Sequence, residues 1–313
     1  MSIAVIFNGQ GAQFKEMGLD FVAEYRAAEA VFAEAEQITD YPIRDWLTDD
    51  FEKLAQTQYA QVAIATTSLA IYESIAPHLP AIDYMAGLSL GEYSALIASD
   101  MLDFTEGIQL IKKRGQLMTA HCQNLRESAE IVMDAVLNMP LDEVKDVISM
   151  VNSDEEILYL ANINSSTQVT IAGTQAATAQ FKEIARDRGH RRVMPLKVEG
   201  PFHSPYMTDV CAPYDAVLED VHFTEGDAAV ISNTTVVAHQ VADVKESLVR
   251  HIVEPVRWQE TIDYFVEQGV TKIIQIGPGK TLANLLKREK NAPDTLVIDK
   301  VADVAQLESF IGG

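Results

Sequence analysis

The most chemically suggestive segment of the chain is a serine flanked by two glycines. Gly87-Leu88-Ser89-Leu90-Gly91 fits the pattern Gly-x-Ser-x-Gly, with an apolar run over residues 82–88 before it and a small-residue helical pattern over 93–99 after it. A strand, a sharp turn and a helix in this order are typical of a nucleophile elbow, in which the serine hydroxyl stands at a helix N-terminus. A plain serine in a strand-to-helix turn is the alternative. The placement favours Ser89 as a nucleophile.

A serine hydroxyl is a weak nucleophile, so a neighbouring base must remove its proton, and histidine does this most often. His203 lies in a tight, partly apolar turn, Gly200-Pro201-Phe202-His203-Ser204-Pro205, at the end of a middle segment with its own strand and helix pattern. A turn at a domain junction is well placed to line a cleft. Residue type alone leaves a structural histidine as an equal alternative. Four other histidines are expected at the surface, namely His78, His190, His222 and His239.

Two further features could handle negative charge. Gly9-Gln10-Gly11 follows the first apolar run, and such glycine turns can present backbone N–H groups to an anion. Arg114 closes Lys112-Lys113-Arg114 in an amphipathic helical pattern. Its guanidinium could grip a carboxylate in bidentate fashion, or it could simply complement the negative end of the helix. Spacing does not choose between these interpretations.

The elements around these residues predict an α/β fold. Residues 3–7 and 82–88 are apolar runs that each lead through a turn into a helical pattern, and residues 272–276 form a third apolar run that ends at Gly277-Pro278-Gly279. A nearly apolar helix is predicted over 57–75 and an amphipathic helix over 105–117. This order predicts an α/β-hydrolase-like catalytic domain, formed by residues 1–124 and 199–313.

The middle of the chain has a different order of predicted strands and helices. Its patterns predict strands over 131–137, 157–163, 168–172 and 192–198, with helices over 141–150 and 176–188. The order β-α-β-β-α-β is the signature of a ferredoxin-like unit. We therefore predict a ferredoxin-like (βαββαβ) small domain, residues 125–198, inserted into the larger domain.

Composition excludes several classes of function. Lys plus Arg is 24 and Asp plus Glu is 46, so the formal net charge is 24 − 46 = −22, which opposes binding to nucleic acid or to an anionic membrane. The first residues form an apolar strand pattern with no basic leader, and nothing approaches the roughly 18 apolar residues of a membrane span. Cys122 and Cys211 lack metal-ligand spacing and are expected to be packed thiols. These features predict a cytoplasmic protein.

The motifs together resemble a known family, the malonyl-CoA:acyl carrier protein transacylases and the related acyltransferase domains of polyketide and fatty-acid synthases. The resemblance covers essentially the whole chain. It is carried by motifs at residues 7–13 (FNGQGAQ), 87–96 (GLSLGEYSAL), 113–115 (KRG), 162–165 (NINS), 168–173 (QVTIAG), 201–204 (PFHS), 254–258 (EPVRW) and 276–280 (IGPGK).

The resemblance implies a role for each matching position. Ser89 would carry the acyl group, His203 would be its base, and Arg114 would bind the free malonyl carboxylate. The remaining implied roles are an oxyanion hole from the backbone N–H groups of Gln10 and Leu90, a substrate contact at Gln58, a bulky residue that selects against branched acyl groups at Phe202, and a backbone carbonyl at His251 that orients the histidine.

The same resemblance implies malonyl-CoA and an acyl carrier protein as partners, with no metal or redox cofactor. The carrier would need a local basic face, for which Arg191, Arg192 and Lys287 are candidates, although a solvated charged surface is the simpler interpretation of such clusters. A monomer is expected. Three alternatives remain open: a trans-acting acyltransferase for a polyketide synthase, an acyl hydrolase on the same scaffold, and a carrier-binding protein without activity.

Overall fold

The computed structural model describes residues 2–128, 130–153 and 156–312. The strands are β1 (Ser2–Phe7), β2 (Tyr84–Gly87), β3 (Ile131–Leu137), β4 (Leu158–Ser165), β5 (Gln168–Thr174), β6 (Val193–Pro195), β7 (Ala229–Val230), β8 (Val270–Ile276) and β9 (Asp294–Ile298). The α-helices are α1 (Leu19–Glu24), α2 (Arg26–Thr39), α3 (Ile43–Thr48), α4 (Thr57–Ile75), α5 (Leu90–Ala98), α6 (Phe104–Ser128), α7 (Leu141–Val151), α8 (Gln175–Asp187), α9 (Thr208–Leu218), α10 (Val244–Arg250), α11 (Trp258–Glu267), α12 (Thr281–Leu286), α13 (Val301–Val304) and α14 (Leu307–Gly312).

The chain has a mixed α/β fold with one parallel and one antiparallel sheet. The parallel sheet has the order β7-β2-β1-β8-β9, with β1 at its centre. Residues 3–7 of β1 are all buried, as expected for a strand covered on both faces. Because β1 and β2 are parallel neighbours and Phe7 pairs with Gly87, the turns that follow these two strands emerge side by side.

Two long helices pack together beside this sheet, and the first of them, α4, contacts β8. Most of α4 is buried, which its almost wholly apolar sequence predicts, and it packs against α6. The helix predicted over 105–117 is longer in the structure and runs on to Ser128. Gly115 lets it pass close to α4. A Cβ atom at Gly115 would lie 2.8 Å from the Cα atom of Gln58.

The middle of the chain forms the antiparallel sheet, in the order β4-β5-β3-β6, and its elements follow one another as β-α-β-β-α-β. Its apolar side chains make a core of their own beneath α7 and α8, centred on residues such as Val147, Ile171 and Phe181. This unit joins the larger one where Ile163 N–H donates to the Val256 carbonyl at 2.8 Å. Within the described ranges, no helix is both long and apolar enough to cross a membrane.

The strand β9 was not predicted from the sequence. Thr295-Leu-Val-Ile is short and follows a stretch without a clear pattern, and β9 lies at the edge of the parallel sheet beside β8. The strand predicted over 192–198 pairs only through Val193–Pro195. Both differences concern edge strands, whose one-sided pairing leaves a weak periodicity.

Candidate active site

Ser89 stands in a strained turn between β2 and α5. Its φ of 54° and ψ of −106° lie outside the regions that non-glycine residues ordinarily occupy. The turn is tight because both flanking glycines touch backbone: a Cβ atom would lie 2.0 Å from Gly91 C at position 87, and 2.2 Å from Phe7 O at position 91. This backbone has the geometry of a nucleophile elbow and presents the serine hydroxyl at the start of α5.

His203 lies within hydrogen-bonding distance of that hydroxyl, with 2.7 Å between Ser89 Oγ and His203 Nε2. The other ring nitrogen, Nδ1, lies 2.8 Å from the backbone carbonyl oxygen of His251. A carbonyl oxygen only accepts hydrogen bonds, so Nδ1 carries the proton and Nε2 is left as an acceptor. Ser89 Oγ–H therefore donates to a nitrogen that is free to take its proton.

His203 is held in its neutral form. Burial, helped by the positive charge of Arg114, lowers the pKa of His203 from 6.5 to about 3, while the hydrogen bond to the His251 carbonyl opposes this shift. At neutral pH the imidazole is consequently a base and not an acid. Ring contacts link Arg114 to the Ser89–His203 pair: its guanidinium lies 5.0 Å from the centre of the Tyr93 ring, which stacks on His251, and His251 stacks on His203.

The turn after β1 lies against the elbow. A Cβ atom on Gly9 would lie 2.2 Å from the carbonyl oxygen of Leu88, so the residue that follows, Gln10, is next to the serine turn. The side chain of Gln10 donates to Thr57 Oγ1 at 3.0 Å, which fixes this turn to the start of α4. Leu90 is the first residue of α5, and its N–H has no acceptor within the helix. Both residues predicted to form an oxyanion hole thus border Ser89.

Arg114 is a buried cation without a counter-charge among the described residues. Its side chain is 1% exposed, its guanidinium lies 5.0 Å from the centre of the Tyr93 ring, and Nη1 donates to Gln61 Oε1 at 2.6 Å. Its Nε and Nη2 atoms have no hydrogen-bond partner in the described structure. Burying a charge with unpaired donors is costly, so this arrangement indicates an anionic ligand.

Sequence reasoning missed Gln61 and favoured Gln58 instead. The Gln58 amide donates to Gln56 Oε1 at 3.3 Å and not to Arg114, and a role for Gln58 in substrate binding stays a prediction. The available signal for Gln61 was a polar residue inside an otherwise apolar buried helix. Phe202 is buried beside His203, and its effect on acyl selectivity also stays a prediction.

A polar cluster lies next to the Ser89–His203 pair. Glu92 is fully buried, with Oε1 at 2.7 Å from His239 Nε2 and Oε2 accepting from Asn233 N–H at 3.0 Å. The expectation that His239 lies at the surface is wrong, because its side chain is only 1% exposed. The flanking acidic residues suggested solvent, but this histidine turns inward to Glu92. The signal for Glu92 was a carboxylate in the first turn of an apolar helix.

The predicted docking residues lie outside this cleft, at one end of the antiparallel sheet. Arg191, Arg192 and Lys287 are all exposed. The Leu137 N–H donates to the Arg192 carbonyl at 2.9 Å, and Leu137 pairs with Gln168 on the neighbouring strand. Arg288, next to Lys287, donates to Gln168 Oε1 at 3.3 Å. With strands about 4.8 Å apart, the two basic groups border the same sheet end.

The fold and the site define a class of protein. A serine at an elbow beside a neutral histidine is the arrangement used for acyl transfer through a serine ester, and here the site also holds a buried guanidinium with unpaired donors. A family model described as "Acyl transferase domain" matches residues 5–306. The chain belongs to the acyltransferase-domain family.

Individual relatives agree with this assignment. The chain is 35% identical to a malonyl CoA-acyl carrier protein transacylase of Bacillus subtilis over 298 residues, which is 95% of this chain and 93% of that protein. A transacylase of this type from Streptococcus pneumoniae, known from its crystal structure, has 35% sequence identity to this chain. The two structures superpose with a TM-score of 0.92 over 98% of this chain and 100% of that one. A malonyl-transacylase solved in complex with its type II polyketide acyl-carrier protein is 29% identical, with a TM-score of 0.92 over the full length of both chains.

Proposed function

We propose that this protein transfers the malonyl group of malonyl-CoA to the phosphopantetheine thiol of an acyl carrier protein. The observation that carries this proposal is the unpaired guanidinium of Arg114 beside the Ser89–His203 pair. A malonyl thioester has a carbonyl for the serine to attack and, two carbons away, a carboxylate for the guanidinium to bind. A neutral acyl group such as acetyl would leave the buried cation unpaired.

The first half-reaction places the acyl group on the enzyme. Ser89 Oγ attacks the thioester carbonyl while its proton moves to His203 Nε2, and the His251 carbonyl accepts a hydrogen bond from the imidazolium at Nδ1. Backbone N–H groups of Gln10 and Leu90 stabilise the oxyanion, at about 3 kcal/mol for each donor. The C–S bond then breaks, and the proton on Nε2 passes to the departing CoA sulfur. The product is a malonyl-serine ester.

The second half-reaction runs the same steps in reverse with a new thiol. His203 takes the proton of the phosphopantetheine thiol, the sulfur attacks the malonyl-serine carbonyl, and Ser89 Oγ leaves with the proton. This order is a ping-pong exchange. Arg114 holds the acyl group by its far end through both steps, which supports transfer over the hydrolase alternative, since neutral acyl chains have no use for it.

The exchange of a thioester for an ester and back involves no change of oxidation state, so no redox cofactor is required, and the base and oxyanion donors replace a metal ion.

We assign the protein to the cytoplasm, as a monomer. We also describe the larger unit as α/β-hydrolase-like and the inserted unit as ferredoxin-like. The elbow after a parallel strand supports the first description, and the sheet order β4-β5-β3-β6 supports the second.

The carrier would dock at the basic end of the antiparallel sheet. Arg191, Arg192 and Lys287 are exposed cations on a chain of net charge −22, so an acidic partner is attracted there and repelled elsewhere. The edge strand β6 and the segment after it add exposed apolar side chains, at Met194 and Leu196. This segment leads directly to His203, and a carrier bound on it is close to the cleft.

The proposal is tested by incubating the enzyme with labelled malonyl-CoA and a holo acyl carrier protein, then measuring label on the carrier. Apo carrier, which lacks the phosphopantetheine thiol, is the matched control and should stay unlabelled. Label released as free malonate in place of malonyl carrier would favour the hydrolase. Fatty-acid and polyketide carriers assayed in parallel decide between the two biosynthetic roles. We expect faster transfer to the carrier of fatty-acid synthesis.

A further inference from the structure

Glu92 is a fully buried carboxylate that touches neither the substrate cleft nor any lysine or arginine within the described residues. Its hydrogen-bond partners are the His239 ring at 2.7 Å and the Asn233 N–H at 3.0 Å, and the Nδ1 atom of the His251 ring lies 3.6 Å away. A buried carboxylate is expensive to keep unless it is well paired. Three contacts from two different segments indicate that it does more than cap the first turn of α5.

One line of contacts runs from Glu92 to the nucleophile. The Asn233 backbone N–H donates to Glu92, while the Asn233 side chain accepts from Ser89 N–H at 2.7 Å and donates to the Gly87 carbonyl at 2.7 Å. Asn233 therefore holds both sides of the elbow, and Glu92 holds Asn233. The strained backbone of Ser89 depends on such restraints.

A second line runs from Glu92 to the base. The His251 ring, whose Nδ1 faces Glu92, stacks on the His203 ring with centroids 4.9 Å apart and planes 24° apart. The backbone carbonyl of His251 accepts the hydrogen bond from His203 Nδ1. Burial, with the charge of neighbouring groups, lowers the pKa of His251 well below 6.5, so this ring is neutral. The carboxylate thus meets the edge of a neutral ring whose face stacks on the base, which places it roughly 7 Å from the His203 ring.

We propose that Glu92 is a positioning residue for the Ser89–His203 pair, holding the elbow through Asn233 and supplying from behind His251 the negative charge that favours the imidazolium of His203 during acylation. This inference rests on the proposed acyl transfer. In a hydrolase triad a carboxylate contacts the histidine directly; here a carbonyl makes that contact and the carboxylate stands one ring further back.

The titratable and charged side chains near Glu92 come from several elements. Arg114 on α6 adds positive charge, and the tyrosines of α5 and α9 bond to each other by their hydroxyl groups. The titratable or charged side chains concerned are His203, His239, His251, Arg114, Tyr93 and Tyr214. Arg114 disfavours the imidazolium of His203, so Glu92 offsets a cation that substrate binding needs.

The test is the single-turnover rate of Ser89 malonylation, followed by mass spectrometry in Glu92→Gln. A unit charge acting over about 7 Å in an effective dielectric of about 20 predicts a 10- to 50-fold slower rate at saturating malonyl-CoA. The half-saturating concentration of malonyl-CoA should stay unchanged, because Glu92 does not touch the substrate. Asp134→Asn, which alters a fully buried carboxylate of the inserted unit, is the matched control and should keep the wild-type rate.

A second variant separates this role from a structural one. His239→Leu removes a hydrogen-bond donor from Glu92 but keeps the carboxylate, so it should slow malonylation by less than Glu92→Gln does, again at an unchanged half-saturating concentration of malonyl-CoA. In the double variant Glu92→Gln/His239→Leu the second change should slow the reaction no further, because His239 acts only through the carboxylate.

The outcomes are distinct. A folded Glu92→Gln with wild-type rate would overturn the inference, as would a further slowing when His239→Leu is added to Glu92→Gln. If Glu92→Gln does not fold, the rate of His239→Leu decides the matter, and a wild-type rate counts against the inference. Failure of the wild-type enzyme to form malonyl-serine would instead refute the proposed function.

Discussion

Gln61 on α4 and Arg114 on α6 are joined by a hydrogen bond of 2.6 Å from Arg114 Nη1 to Gln61 Oε1, with both side chains almost wholly buried. The glutamine accepts from one nitrogen of the guanidinium and leaves Nε and Nη2 without partners in the described structure. These two atoms lie on one edge of the guanidinium group, where they can bind a carboxylate in bidentate fashion. Gln61 thereby fixes the direction in which Arg114 offers its charge.

We expect Gln61→Leu to raise the KM for malonyl-CoA about tenfold or more, because a hydrogen bond to a charged group is worth about 1.5–3 kcal/mol. Gln58→Leu, one turn earlier on the same helix, is the matched comparison. Steady-state kinetics of both variants separate the two glutamines. A larger effect at Gln58 than at Gln61 would favour Gln58 as the substrate contact.

His203 makes the stability of the protein depend on pH. Its pKa of about 3 in the folded state lies below the value near 6.5 expected when unfolded, so the unfolded chain binds the proton more readily. The stabilisation is complete above pH 6.5 and is lost as the pH falls from 6.5 toward 3. Urea unfolding should show this slope, and His203→Gln should reduce it while His78→Gln, an exposed control, should not.

The lowered pKa of His203 also sets the pH dependence of acylation. Only the neutral imidazole accepts the serine proton, and His203 stays neutral well below pH 6.5. The single-turnover rate should therefore show no loss as the pH is lowered from 8 to about 5. A half-maximal rate near pH 6.5 would mean that His203 titrates as an ordinary exposed histidine.

Gly200 allows the turn that carries His203 to pass Cys122. A Cβ atom at position 200 would lie 2.1 Å from Cys122 Sγ and 3.2 Å from its Cβ. Gly200→Ala should therefore destabilise the protein by about 1–3 kcal/mol through overpacking and slow acylation by displacing His203. Cys122→Ala removes the sulfur, so the double variant should recover part of both losses. Thermal unfolding and acylation rates measure this, and strictly additive effects would show that the two residues do not compete for space.

Charge reversal at the basic sheet end should impair the carrier and not the CoA substrate. We expect Arg191→Glu/Arg192→Glu and Lys287→Glu to raise the KM for holo carrier, most strongly at low salt, with the rate of Ser89 malonylation unchanged. Arg26→Glu on α2 is the control for net charge. Equal effects of the control and the test variants would show that only the overall charge matters.

Local pattern predicted most of the fold, because strands and helices with a buried face carry strong periodicity. Residues 57–75 were predicted as a helix and form α4, and the β-α-β-β-α-β order of the middle segment is the one observed. The continuation of α6 from residue 118 to Ser128 was not predicted, because only Met118, Thr119 and Cys122 of this stretch are buried and its apolar periodicity is weak. Strand β9 was missed because its pairing lies on one side only.

Some residues of the candidate site could be predicted from the sequence and others could not. Ser89, His203 and Arg114 stand in motifs that can be found from sequence. In the structure Ser89 and His203 are in direct contact, and Arg114 is linked to His203 through the rings of Tyr93 and His251. Gln61, Asn233 and His239 stand in no such motif. Their positions depend on contacts between segments more than 50 residues apart, such as Asn233 with Ser89, which a single sequence does not encode locally.

The most decisive single measurement is intact-mass spectrometry of the enzyme mixed with malonyl-CoA and then chased with holo carrier protein. The wild-type enzyme should gain one malonyl group and then lose it to the carrier. The Ser89→Ala variant should gain no malonyl group. Arg114→Ala should malonylate at least about 30-fold more slowly, as expected for the loss of a buried charge pair, whereas Lys113→Ala, the exposed neighbour, should match the wild type. A malonyl adduct that forms without Ser89, or that forms at the same rate without Arg114, would contradict this mechanism.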